Sequence, residues 1–201
     1  MRILMTSFGP FNNFKTNPSN EIMERLKQKL SFSSPAHNYY KFETIEVSWS
    51  SVSTYIENQK NETFDFIFHL GVATNESNIR IETTGQNIQS GNDVENNAPT
   101  ENQIIPNEPD LHTNISVERL KNFVLKNENI KISHDAGAYL CNYLYFKSLY
   151  FLGKESAILF IHTADTQNQP EAPSIELQTE IIYNLINSLT NNTPENSTSG
   201  I

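Results

Sequence analysis

Cysteine is nearly absent from this chain: Cys141 is the only one, so no internal disulfide can close. The expected home is a reducing one, the cytoplasm. Glycine is sparse as well, with seven residues scattered and none in a Gly-x-Gly-x-x-Gly run, which removes the common phosphate-binding loops. No histidines stand at His-Glu-x-x-His spacing and one thiol cannot build a thiolate site, so neither a metal nor another cofactor is expected. Basic residues are few and unclustered. With 14 Lys and Arg against 23 Asp and Glu, the net charge of -9 argues against nucleic acid and anionic membrane as partners. Long apolar runs are missing too, and the first segment meets Gly9-Pro10 too soon for a signal-peptide core or a membrane span.

What is present fits one domain. A chain of 201 residues can bury a full core, here expected over residues 1–189, while the Asn/Ser/Thr-rich stretch 190–201 is expected to be a disordered tail. Residues 2–8 read as a strand that runs into the Gly9-Pro10 turn, and Phe11 and Phe14 follow in a polar loop. Asn17-Pro18-Ser19 opens a helix through Leu30, with Ser19 as its expected N-cap. A strand over 39–47 and a weak helix over 50–60 come next. The run 64–71, short, apolar and ended by Gly71, has the character of a central strand covered on both faces. From Val72 to Ile105 the chain is polar, with one strand-like island at 79–83, and so long an excursion is a place for function. An edge strand near Leu111, a helix from Ser116, a helix over 139–150 stopped by Gly153, a strand over 156–162 and a last helix capped by Ser174 complete the chain. Strands alternating with helices give the α/β class: one three-layer α/β/α domain around a central, mostly parallel mixed sheet.

Three residues stand where such sheets gather reactive groups, at strand ends and helix starts. Cys141 falls in the first turns of its helix, where unpaired N–H groups and the helix dipole favour a thiolate; on this segment alone a lone cysteine reads more readily as a buried core residue. His162 ends a strand and Glu82 lies on the long excursion. A thiol nucleophile needs an imidazole as base, and the imidazole an acceptor to orient it, so these two could complete a triad. A packing histidine and a solvated glutamate are the plain alternatives. The other four histidines lie in loops, in a strand interior or in turns.

Together these segments resemble pyroglutamyl-peptidase I, the pyrrolidone-carboxylate peptidase family. The resemblance rests on Phe8-Gly9-Pro10-Phe11, His69-Leu70-Gly71-Val72, Glu82-x-x-Gly85-x-Asn87, Ser133-x-Asp135-Ala136-Gly137-x-Tyr139-Leu140-Cys141 and Phe160-Ile161-His162, in the family's order. It implies a cofactor-free cysteine exopeptidase that removes N-terminal pyroglutamate from small peptides, with homo-oligomers open. In it Cys141 is the nucleophile, His162 the base and acid, Glu82 the orienting group, and Phe8, Phe11 and Val72 the substrate contacts. The pattern departs at Ser7, Asn12, 74–76, Asn92 and Thr163-Ala164, which concern pocket shape and the oxyanion site. A hydrolase of the same fold with another blocked N-terminus, or a non-catalytic pyroglutamate-binding protein, is the competing reading.

Overall fold

Period-two alternation in the apolar runs sorts their side chains onto two faces of one sheet. The computed structural model describes residues 1–10, 16–33 and 38–191. Its elements are β1 (Arg2–Phe8), α1 (Pro18–Ser33), β2 (Tyr39–Ile45), α2 (Trp49–Gln59), β3 (Phe66–Val72), β4 (Ile79–Glu82), β5 (Thr84–Gly85), β6 (Leu111–His112), α3 (Val117–Val124), β7 (Ile130–Ser133), α4 (Leu140–Leu152), β8 (Ala157–Thr163) and α5 (Ile175–Thr190). The six-stranded sheet has the order β2-β1-β3-β8-β4-β7. Strands β2, β1, β3 and β8 run parallel; β4 is antiparallel to β8, and β7 is parallel to β4. The sheet is thus mixed but mostly parallel, and the short β5-β6 ribbon stands apart from it.

Ile3 and Met5 of β1, Ile79 and Ile81 of β4, and Leu159 and Ile161 of β8 pack with α1, α3 and α5. The alternate positions Leu4, Phe8, Ile158 and Phe160 pack with α2 and α4. Among the described residues no helix is long and apolar enough to cross a membrane. His69 ties the layers through polar contacts: its Nδ1 lies 2.7 Å from Thr6 Oγ1 and its Nε2 2.9 Å from Ser148 Oγ. Burial pushes this imidazole down to about 3, so it is neutral.

Local details correct several expectations. The first helix is capped by Asn17, whose Oδ1 accepts from the Ser19 N–H at 3.0 Å, while Ser19 sits inside the first turn behind Pro18. Proline at the first helical position moves the cap one residue ahead of it. That helix also continues past Leu30 to Ser33. Residues 130–133, expected only as a connection into the cysteine helix, form β7, because pairing with β4 supplies the hydrogen bonds that a four-residue segment cannot supply locally. Thr190 ends α5 and Asn191 caps it, so the tail assignment holds at most beyond them, and residues 192–201 lie outside the described residues.

Candidate active site

The same alternation that buries Ile158 and Phe160 against α4 carries His162 onto that face at the end of β8. In β4 the isoleucines face the other way, which leaves Arg80 and Glu82 beside His162. The antiparallel register sets Arg80 opposite His162 and Glu82 opposite Phe160. Glu82 is fully buried, and its Oε1 lies 2.8 Å from His162 Nδ1. A carboxylate accepts, so Nδ1 carries the proton and Nε2 is the ring nitrogen left for other partners. Arg80 Nε is 3.0 Å from the same Oε1 but lacks hydrogen-bond alignment, and Glu82 Oε2 has no hydrogen-bond partner. The Tyr145 hydroxyl donates to the Glu82 carbonyl at 2.9 Å and fixes the strand end to α4.

Cys141 reaches the site through the turn ahead of α4. Gly137 has φ 81 there, a conformation that costs glycine nothing, and its N–H donates to Asp135 Oδ1 at 2.8 Å. Tyr139 takes the N-cap position in extended conformation with no side-chain cap hydrogen bond. The first N–H groups of α4, Cys141 among them, therefore keep their donors free of a side-chain acceptor. Close approach of β3 needs Gly71: a Cβ at that position would lie 2.9 Å from Cys141 Sγ and 2.9 Å from Phe160 Cζ.

Cys141 is half-buried as a residue. Burial pushes the thiol up to about 12, and the nearby Glu82 charge adds to the rise. The expectation of a thiolate favoured by the helix start is thus corrected. Desolvation acts on the whole charge, whereas the dipole supplies only about half a charge at the helix end. The resting group is the neutral thiol, and among the described residues it makes no hydrogen bond to His162.

A cavity of about 290 Å³ opens here, walled by Phe8, Val72, Tyr139, Cys141, His162 and Arg80 among others. The structure therefore brings Cys141, His162, Phe8 and Val72 to one cavity, with Glu82 behind the imidazole. Phe11 and Asn12 lie outside the described residues. Of the departing positions, Thr74 lines the cavity, whereas Asn92 is exposed and does not. The Thr163 hydroxyl donates to the Gly71 carbonyl at 3.1 Å, and the Ala164 N–H to Gln178 Oε1 at 2.8 Å, so both positions are tied into the scaffold. Arg80 was not singled out from the sequence. Its signal was available in Ile79-Arg80-Ile81-Glu82, where any face that holds Glu82 must hold Arg80 as well.

Comparisons with known proteins identify the family and the fold. A model of the pyroglutamyl peptidase family matches residues 1–184. Curated relatives include pyrrolidone-carboxylate peptidase 2 of Caldanaerobacter subterraneus subsp. tengcongensis, 29% identical over 189 residues that cover 88% of this chain and 89% of the relative. The pyrrolidone-carboxylate peptidase of Thermosipho melanesiensis is also 29% identical, over 190 residues covering 89% and 92%. Among solved structures, the pyrrolidone carboxyl peptidase of Fervidobacterium islandicum AW-1 superposes with a TM-score of 0.80 at 25% identity, covering 95% of this chain and 99% of that one. That of Thermus thermophilus, at 22% identity, shares the fold with a TM-score of 0.81 over 93% of this chain and 100% of its own.

Proposed function

Because the chain belongs to the pyroglutamyl peptidase family, we propose that it is a cysteine exopeptidase that removes N-terminal pyroglutamate from peptides through Cys141, His162 and Glu82. The observation that carries this reading is the 2.8 Å contact between His162 Nδ1 and the buried Glu82, at the edge of the cavity that Cys141 lines. With Nδ1 committed to Glu82, Nε2 is left to take the thiol proton. Since the thiol is neutral at rest, that transfer accompanies attack on the pyroglutamyl carbonyl rather than preceding it. The carbon–sulfur bond forms, the carbonyl electrons move onto oxygen, and the free N–H groups at the start of α4 are donors for that oxyanion. Collapse expels the peptide amine, which takes the proton from the imidazolium. Water, deprotonated by the same Nε2, then cleaves the thioester and restores the thiol.

Selectivity follows from the apolar wall. Phe8 and Val72, both buried at strand ends, form an uncharged slot suited to a flat lactam, whereas a free α-ammonium would lose its hydration there. Phe11 is proposed to close the other side of the slot, which makes small peptides with blocked N-termini the substrates. The single thiol must stay reduced to act, so the cytoplasm is the proposed location. The test is hydrolysis of pyroglutamyl-aminocoumarin beside a panel of other blocked aminoacyl fluorophores. The pyroglutamyl substrate should be cleaved preferentially, and Cys141→Ala should cleave none. Preference for another blocked residue would favour the same-fold hydrolase, and binding without turnover the non-catalytic protein.

A further inference from the structure

Arg80 stands in the cavity wall with its guanidinium committed on three sides. Nε is 3.0 Å from Glu82 Oε1, and Nη2 donates to Ser133 Oγ at 2.7 Å and to the Asp135 carbonyl. Nη1 is 3.9 Å from Glu76 Oε2. Arg80 is also the cross-strand partner of His162. A permanent cation is therefore held against the same carboxylate oxygen that binds the imidazole. Among the described residues Arg80 is the one permanent cation within ion-pair distance of Glu82, and the His162 imidazole is the other basic group there.

We propose that Arg80 is a positioning residue of the hydrolytic site, with two effects that act through Glu82. It fastens the carboxylate to the Ser133–Asp135 turn that leads to Cys141, and its fixed positive charge against Oε1 opposes a second positive charge on the neighbouring His162 ring, which leaves that ring free to accept a proton. This rests on the triad reading above. The other charged or titratable groups around the site have their own partners or are neutral. Glu76 pairs with Lys131 at 2.9 Å, and the Asp135 carboxylate holds the Gly137 N–H. Asp165 in the turn after β8 is held by the Asn75 N–H and by Asn168, and His134 by the Thr83 hydroxyl. From α4 Cys141 and Tyr145 are uncharged, as is His69 on β3.

The experiment is the pH dependence of kcat/KM on pyroglutamyl-aminocoumarin, between about pH 5 and 9, for the wild type and for Arg80→Gln, Arg80→Met and Arg80→Lys. Removing a unit charge that touches the same carboxylate oxygen as the imidazole should move the acid limb of the Gln and Met profiles upward by about one pH unit. Activity on that limb then falls about tenfold at a given pH. Arg80→Lys, which keeps the charge, should return the limb to within ~0.3 unit of wild type. A residue that only supports the fold would lower kcat and leave the limb in place, and that result in both Gln and Met overturns the proposal. If those two variants do not fold, Arg80→Ala, a smaller neutral side chain that leaves Ser133 Oγ and the Asp135 carbonyl open to water, takes their place and must raise the limb in the same direction, and an unmoved limb overturns the proposal. Cys141→Ala and His162→Ala on the same substrate keep the two readings apart. Wild-type turnover in either defeats the triad, whereas loss in both with an unmoved Arg80→Gln limb defeats only the role of Arg80.

Discussion

Gly71→Ala adds one methyl group at the point where β3, β8 and α4 meet. The new Cβ would sit 2.9 Å from both Cys141 Sγ and Phe160 Cζ, and 3.1 Å from Phe160 Cε1. These approaches are roughly 0.6 Å inside a comfortable ~3.5 Å carbon contact, and further inside one to sulfur. The phenyl ring has little room to withdraw, being fully buried with ring centroids of Tyr145 at 5.8 Å and His162 at 4.8 Å. Relief must come from moving the sulfur toward the cavity, tilting the Phe160 ring against His162, or both. Overpacking of this kind costs about 1–3 kcal/mol of stability, and displacing a reacting atom by most of an ångström costs on the order of 100-fold in turnover. Thermal unfolding should therefore show a lowered Tm in a protein that still melts cooperatively. The kcat on pyroglutamyl-aminocoumarin should fall much more steeply than KM rises. Gly71→Ala with wild-type kcat would refute the reasoning, since it would mean that the strand does not approach Cys141 as closely as described.

Other perturbations discriminate among the same contacts. Cys141→Ala should abolish hydrolysis and His162→Ala nearly so, whereas Glu82→Gln should keep measurable turnover, roughly 10²–10⁴ below wild type, because it orients the base and does not touch the substrate; steady-state kinetics showing equal losses in all three would give Glu82 a larger part. With the thiol pushed up to about 12, alkylation of Cys141 by iodoacetamide should keep accelerating beyond about pH 8.5. A plateau below that pH would mean that His162 already holds the thiol proton in the free protein. His69, held down to about 3 in the folded chain, binds a proton near ~6.5 once unfolded, so between these values the unfolded state carries more protons. Stability present above ~6.5 is then lost as pH falls, by about 1.4 kcal/mol per pH unit from this residue. Urea unfolding at neutral and mildly acidic pH should show a smaller loss in His69→Gln than in wild type, and equal losses would show that His69 is not the group responsible.

Local pattern alone determined which side chains share a face and where most elements begin. Alternation in Phe160-Ile161-His162 and Arg80-Ile81-Glu82 sets the two outer residues of each triplet on one side of its strand, and Ser116 and Ser174 cap their helices as their spacing foretells. Cys141, His162, Glu82, Phe8 and Val72, which the structure gathers at one cavity or directly behind it, were legible because their motifs resemble a known family, not because periodicity singles them out. Tertiary structure decided the rest. That β4 lies antiparallel beside β8, with Arg80 facing His162, follows from strand pairing between residues some 80 positions apart, which no local period encodes. Strand β7 exists only because β4 is there to pair with it. Charge state was the least legible property of all. A cysteine at a helix start reads locally as a thiolate, yet what covers Cys141 and the carboxylate that arrives from β4 outweigh the helix end, because desolvation depends on every neighbour in space and the sequence names only those along the chain.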